Sequence, residues 1–179
     1  MKILVVHGSP RKGGNTVKYF EKTFVRQPED EIRTFFLVDF RIHPCTGCLA
    51  CSKTGECPFE DDMNLIYEGA GWADRLVFTT PVYFNSVTSY MKVMMDRFQR
   101  DYARRFILGT QKKVEPHKKG LLFATAGSKE KHREFDGLRF PVDLMFKSQG
   151  IRDYTIHLLD GVDDTNMDQR LLQQEKLYT

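Results

Sequence analysis

The order in which apolar residues repeat constrains this chain more than any other feature. Ile3–Val6 is an unbroken apolar run rich in β-branched residues. Such a run reads as a strand buried on both faces, the kind found in parallel sheets. The spacing then changes to three and four at Val17, Phe20 and Phe24, which is helical, and Pro28 ends that helix. The same alternation continues down the chain. Ile32–Val38, Arg75–Thr80, Gly120–Ala126 and Ile151–Leu158 read as four further strands. Between them, Met63, Ile66 and Ala70 form one helical face behind Asp61 and Asp62, acids that favour a helix start. Val87, Tyr90, Met91, Met94, Met95 and Phe98 form a second face within residues 86–98, read as one packed on a sheet. Phe135, Leu138, Val142, Met145 and Phe146 form a third, with Pro141 kinking it or starting a new helix. A last helix is expected over residues 164–177. Five strands alternating with helices imply an α/β fold, a doubly wound parallel sheet in the order 2-1-3-4-5 with helices on both faces. One domain over residues 1–179 is expected, with a loop at 41–61.

Composition narrows the function classes. The chain has 179 residues, 41% of them hydrophobic and 28% charged, which fits an ordinary globular protein. A net charge of +3 gives no support to nucleic-acid binding. The local excess of Arg and Lys over residues 97–119 reads as a solvated helix end and loop, or as a patch for an acidic partner or a nicotinamide dinucleotide phosphate. No apolar run approaches the roughly 18 residues of a membrane span. Met1-Lys2 leads directly into the first strand without a signal-peptide pattern, so a cytoplasmic protein is expected.

Two loops fall where a parallel sheet places its ligands, at the carboxyl ends of strands flanking the point where strand order reverses. The first is His7-Gly-Ser-Pro-Arg-Lys-Gly-Gly-Asn-Thr16. The helix start after it offers free amides and partial positive charge, to which Ser9, Arg11, Asn15 and Thr16 add donors suited to phosphate. Gly8 and Gly13 have the spacing of a nucleoside-triphosphate loop, but Gly14 and Asn15 replace its lysine and hydroxyl. Pro10 stands where a dinucleotide fingerprint needs its second glycine. No cysteine is followed by arginine at phosphatase spacing. A single phosphate monoester suits this donor set. The second loop, Pro81-Val-Tyr-Phe-Asn-Ser86, carries aromatic side chains able to cover a flat ring.

Together these two segments resemble the flavin loops of the flavodoxin-like NAD(P)H-dependent FMN reductases. The resemblance implies FMN, with Ser9, Arg11, Gly14, Asn15 and Thr16 around the phosphate. Pro81, Val82, Tyr83, Phe84 and Asn85 would line the ring, with Thr125, Ala126 and Gly127 as a third loop. Amides around Tyr83–Ser86 would face the flavin's polar edge. Because the flavin carries the redox chemistry, no catalytic side chain is expected. His7, His43, His117, His132 and His157 are scattered and read as structural.

Cys45, Cys48, Cys51 and Cys57 are the chain's four cysteines, all within 13 residues. This window and Asp61-Asp62-Met63 resemble the iron–sulfur flavoprotein branch. Two successive two-residue gaps let three thiolates point at one centre, as in a [4Fe–4S] cluster. A cysteine loop without metal, a zinc site and a reactive disulfide stay open beside that reading. A cluster would border the flavin crevice of its own or a neighbouring subunit. The function implied is an oxidoreductase. NAD(P)H, or ferredoxin if the cluster exists, would supply electrons to FMN, and a quinone, flavin or other small acceptor would take them. The alternative is an electron carrier between protein partners with no turnover of its own. A homodimer or homotetramer is implied, with Tyr83, Phe84 and residues 86–110 at the interface.

Overall fold

The structure is a computed structural model and describes residues 1–129, 133–163 and 169–171. In chain order the elements are β1 (Lys2–His7), α1 (Asn15–Thr23), β2 (Glu31–Phe36), α2 (Ala50–Thr54) and α3 (Met63–Trp72). They continue with β3 (Arg75–Pro81), α4 (Ser89–Arg97), α5 (Gln99–Tyr102), β4 (Lys119–Thr125), α6 (Arg139–Ser148) and β5 (Asp153–Leu159). All five strands form one parallel sheet in the order β2-β1-β3-β4-β5. Reversal of strand order between β1 and β3 opens the crevice that the sequence anticipates.

The unbroken apolar runs are explained by burial on both sides. Leu4 and Val6 of β1 face one core with Leu76, Phe78, Leu122 and Ala124, covered by α3, α4 and α6. Ile3 and Val5 face the other with Val77 and Phe123, covered by Tyr19 and Phe20 of α1. Successive residues of a strand point to opposite faces, so both must be apolar here. Full burial of Phe78 alone contributes about 1.5–3 kcal/mol. At Gly120 the sheet approaches α6 so closely that an added methyl would stand 2.5 Å from the Phe146 ring.

Several local expectations need correction. β2 ends at Phe36, and Leu37–Asp39 form a 3-10 turn. The β1–β2 ladder runs out at His7↔Phe36, where β1 turns away at Gly8 and leaves no partner strand. On α4, Met91, Met94 and Phe98 are buried, but Tyr90 is exposed and Met95 only half-buried, so the packed face is narrower than expected. Of the two readings of Pro141, the structure gives the second: a 3-10 helix over Arg133–Leu138 is followed by α6, and Pro141 lies in the first turn of α6, where a missing amide costs nothing. β5 begins at Asp153 rather than Ile151, whose side chain is buried in the core ahead of the strand. Of the helix expected over 164–177, residues 169–171 are helical and the remainder, like His132, lies outside the described residues.

Candidate functional site

Three interactions bring the loops after β1, β3 and β4 together. The Gly8 amide donates to Thr79 O (2.7 Å), and the Val82 amide donates to Thr125 O (2.8 Å). Thr88 caps α4 by accepting from the Met91 amide, while its hydroxyl donates to Gly8 O at 2.6 Å. A methyl on Gly8 would stand 2.8 Å from the Met91 methyl, 3.0 Å from Met91 Cβ and 3.2 Å from Thr79 O, so glycine suits the close approach of the first loop to α4. The result is a small crevice of about 80 Å³ at the carboxyl edge of the sheet.

Ten of the residues singled out in the sequence line that crevice: Ser9, Arg11, Gly14, Asn15, Thr16, Pro81, Val82, Tyr83, Thr125 and Gly127. Ser9 Oγ accepts the Arg11 amide (3.1 Å) and donates to Arg11 O (3.0 Å), closing the turn that presents the loop. Thr16 and Thr125 share a hydrogen bond of 2.5 Å across the floor. The amides of Asn15 and Thr16, in the first turn of α1, have no acceptor among the described residues. The exposed Arg11 side chain has no ion-pair partner there either. The Ser9 proton is taken by Arg11 O, but free helix-start amides, a guanidinium and the second proton of the Thr16–Thr125 pair form a donor set suited to an anion.

Three anticipated residues lie elsewhere. Ala126 is buried in the core below the crevice, its amide donating to Leu159 O. Phe84 and Asn85 form the tip of a tight hairpin turn closed by reciprocal Tyr83–Ser86 bonds of 2.9 and 3.0 Å. Both tip residues have positive φ, 50° and 56°, as a type I′ turn requires. Phenylalanine pays of order 1–2 kcal/mol for that conformation. Phe84 is fully exposed and covers nothing within this chain. The turn also uses the Tyr83 and Ser86 amides, so of the amides expected to face a flavin edge those of Phe84 and Asn85 are free of acceptors among the described residues. Val162 and Asp163, absent from the sequence reading, complete the crevice. Asn15 Nδ2 donates to Val162 O (2.9 Å) and Asp163 Oδ1 (3.3 Å), so its amide clamps the loop after β5 rather than standing free. The signal available was position alone: this loop too follows the carboxyl end of a strand.

His7 lies at the end of β1 beneath this site. Its Nδ1 is 2.8 Å from Thr79 Oγ1, and its ring stacks on Phe36 with centroids 4.5 Å apart. Burial lowers its pKa to about 4, so it stays neutral near pH 7. His157 stacks on Phe123 (4.6 Å), and burial lowers its pKa too.

The cysteine window is not the plain loop expected. Ala50–Thr54 form the short helix α2, bracketed by left-handed Leu49 and Gly55. All four cysteines line one cavity of about 350 Å³ with Phe59, Asp96, Arg97, Gln99 and Arg100. Burial pushes the Cys51 thiol up, and charge on Cys45, Cys57 and Cys48 pushes it further. Among the described residues no three His, Cys, Asp or Glu side chains converge tightly enough for a single metal ion. The basic segment is tied down rather than presented as a patch. Arg97, buried, bonds Asp61 through both nitrogens (2.6 and 3.1 Å) and also His43 O (2.7 Å). Arg104 bonds Gly55 O and pairs with Glu56, while Arg105 donates to Ser148 O and Lys112 O and Lys118 to Ala70 O. Asp61 therefore serves this network more than the helix start, although its Oδ1 still accepts the Met63 amide at 3.1 Å. Crevice and cysteine cavity share no lining residue. α4 runs from Thr88, which bonds Gly8 O at the base of the first loop, to Arg97 on the cavity lining, roughly 13 Å of helix. Within one chain the cavity does not border the crevice.

Residues 1–137 match the family model described as NADPH-dependent FMN reductase. The chain belongs to that family. Among curated members, it is 37% identical over 99 residues to an iron-sulfur flavoprotein of Methanocaldococcus jannaschii, covering 54% of this chain and 51% of the relative. A second iron-sulfur flavoprotein of that organism is 32% identical over 136 residues, covering 75% and 66%. The chain thus spans about half to two thirds of the length of these relatives. In three dimensions it resembles an NAD(P)H:quinone oxidoreductase from Methanothermobacter marburgensis, with TM-score 0.69, 17% identity and coverage of 98% and 96%. An FMN-dependent NADH-azoreductase from Bacillus anthracis, solved in complex with FMN, gives TM-score 0.64 at 16% identity, covering 99% and 95%. The family fold is flavodoxin-like, as the strand order requires. No described helix is long and apolar enough to cross a membrane.

Proposed function

We propose that the protein is an FMN-dependent oxidoreductase, accepting electrons from NAD(P)H and passing them to a small acceptor such as a quinone or flavin. The observation that carries this reading is the convergence of the loops after β1, β3 and β4 on one anion-binding crevice. The residues present fit the group. Arg11, the Thr16 hydroxyl and the free amides of Asn15 and Thr16 would hold the phosphate, with Ser9 fixing the turn that presents them. Pro81, Val82 and Tyr83 would lie along the ring, with Thr125 and Gly127 opposite. Asp163, the one acid among the described lining residues, accepts a hydrogen bond from the Asn15 side-chain amide, which ties the loop after β5 to α1. Bound FMN supplies one- and two-electron chemistry; the chain supplies position, and no side-chain acid or base is needed.

The cysteine cavity supports a [4Fe–4S] cluster on Cys45, Cys48, Cys51 and Cys57. A cavity of about 350 Å³ lined by all four thiols suits a multinuclear centre. Ferredoxin would then be a second donor, and a pure carrier role is the reading this cavity favours next. The protein is expected to be cytoplasmic, a single domain, and to pair through the exposed Phe84 and Tyr83. An absorption spectrum of anaerobically purified protein, followed by turnover with NADPH and NADH, tests the proposal. Flavin bands and turnover are expected. Flavin without turnover turns the reading to a carrier, and a colourless protein that takes up no FMN refutes it.

A further inference from the structure

The segment Gly8–Gly14, which joins β1 to α1, has few ties to the rest of the fold. Ser9 and Arg11 bond each other, and the Gly14 amide donates to Arg11 O. Lys12 reaches Asp39, but both side chains are exposed. The firm tie is at Gly8. This residue is buried, its amide donates to Thr79 O at 2.7 Å, and its carbonyl accepts from the Thr88 hydroxyl at 2.6 Å. Among the described residues, Thr88 is the one side chain of another element that bonds the backbone of this segment. Thr88 is itself 1% exposed and held on every side. Its hydroxyl accepts the Met91 amide (3.2 Å), and its own amide donates to Thr80 Oγ1 (3.3 Å). Thr80 in turn donates to Pro81 O at 2.9 Å. A hydroxyl has one proton, and Thr88 gives it to Gly8. A run of buried bonds thus joins the loop after β3 to the loop after β1.

We infer that Thr88 is a positioning residue for the FMN phosphate: by holding Gly8 O it fixes where the loop after β1 stands against the start of α4, and with it the phosphate donors that follow. The inference rests on the flavin reading above. Thr88 is not on the crevice lining, so it acts through Gly8 and touches neither phosphate nor ring. The far end of the donor set is tied down separately, by Asn15 to Val162 O and by Thr16 to Thr125. The near end, which carries Ser9 and Arg11, depends on the Gly8 peptide. Several donors converge on one anion only when they are ordered beforehand; otherwise binding must supply the ordering. Without the Thr88 proton a buried carbonyl loses its donor, a cost large enough to shift the loop. Pro81, Val82 and Tyr83 keep their own ties, Val82 to Thr125 O and Tyr83 to Ser86. The effect therefore falls on the phosphate rather than on the ring.

The test is binding of FMN and of riboflavin, the same ring without the phosphate, to the flavin-free whole protein, followed by quenching of flavin fluorescence. The ratio of the two Kd values reports on the phosphate alone. Wild type, Thr88→Val, Thr88→Ser and Tyr67→Phe are compared. Thr88→Val keeps the shape of the side chain and the backbone amide but has no proton for Gly8 O, and Thr88→Ser restores the proton. Tyr67→Phe removes a comparable buried bond, from the Tyr67 hydroxyl to Arg97 O (2.7 Å), at the other end of α4. Thr88→Val should lower the preference for FMN over riboflavin about tenfold. Thr88→Ser and Tyr67→Phe should keep the wild-type preference. An unchanged preference in Thr88→Val overturns the inference. So does an equal weakening of both flavins, or an equal change in Tyr67→Phe, either of which marks the bond as structural only. A Thr88→Ser protein that behaves like Thr88→Val overturns it too. If Thr88→Val does not fold, Thr88→Ala decides by the same ratio. A wild-type protein that binds FMN no more tightly than riboflavin refutes the phosphate reading itself, and this inference with it.

Discussion

Replacing Arg97 by methionine should destabilise the protein by about 3–5 kcal/mol, the cost of leaving one member of a buried ion pair without its partner. The structure sets that range. Arg97's side chain is 1% exposed and Asp61's 13%, so solvent screens the pair little. Methionine fills much of the arginine's volume, which keeps the cavity contribution small. What remains is the Asp61 carboxylate, held by the His43 and Met63 amides (2.8 and 3.1 Å) but without its counter-charge. His43 O loses its donor as well. Urea unfolding followed by fluorescence of Trp72, the chain's one tryptophan, measures the loss. With a slope of roughly 2 kcal/mol per molar urea, the midpoint should fall by about 1.5–2.5 M. Arg97→Met with Asp61→Leu should recover part of the loss, with a coupling of about 1–3 kcal/mol. A loss below about 1 kcal/mol for Arg97→Met, or strictly additive effects in the cycle, would refute the reasoning. The pair also has a pH signature. Burial raises the Asp61 pKa, but Arg97 and the two amides outweigh it and leave the carboxyl below its ordinary value. Its stabilisation is therefore present above the ordinary carboxylate pKa and lost as pH falls through the depressed one.

His7 predicts a second acid-sensitive step at higher pH. Its folded pKa of about 4 lies below the unfolded 6.5, so the unfolded chain binds the proton first and stability falls as pH drops from 6.5 towards 4. The loss should reach about 3 kcal/mol and be absent in His7→Gln; equal acid profiles for the two proteins would remove His7 as its source. Arg11→Ala should weaken FMN retention roughly tenfold, about 1.4 kcal/mol, measured by flavin fluorescence on dilution; unchanged retention would show that the phosphate lies elsewhere. Gly120→Ala should destabilise by about 1–3 kcal/mol, because the new methyl would drive Phe146 from a fully packed position. An unfolding midpoint equal to that of wild type would show that α6 can move aside.

The alternation of two-sided apolar runs with helical spacing was enough to determine the parallel sheet, its order and the position of the crevice at its carboxyl edge. Burial on both faces leaves Ile3–Val6 of β1 and Leu76–Phe78 of β3 without a polar position, and only a sheet covered on both sides makes such runs stable. Ser9, Arg11, Thr16 and Pro81–Tyr83 were legible because they follow strand ends directly, where neighbouring strands force loops together. What lay beyond local pattern was decided by tertiary contacts. Whether Phe84 turns inward depends on the Tyr83–Ser86 closure, and whether Asn15 is free depends on Asp163, distant in sequence. The basic residues of 97–119 read as a solvated helix end and loop, or as a patch for an acidic partner, because a sequence cannot tell which charges have partners. Folding places Arg97 against Asp61 and Arg104 against Glu56, and so turns the most basic stretch of the chain into the wall and clamp of its cysteine loop. Local periodicity encodes which face a residue takes within its own element. Which charges meet between elements is set only when the sheet brings distant loops together, because a buried ion requires a counter-ion at contact distance whatever its place in the chain.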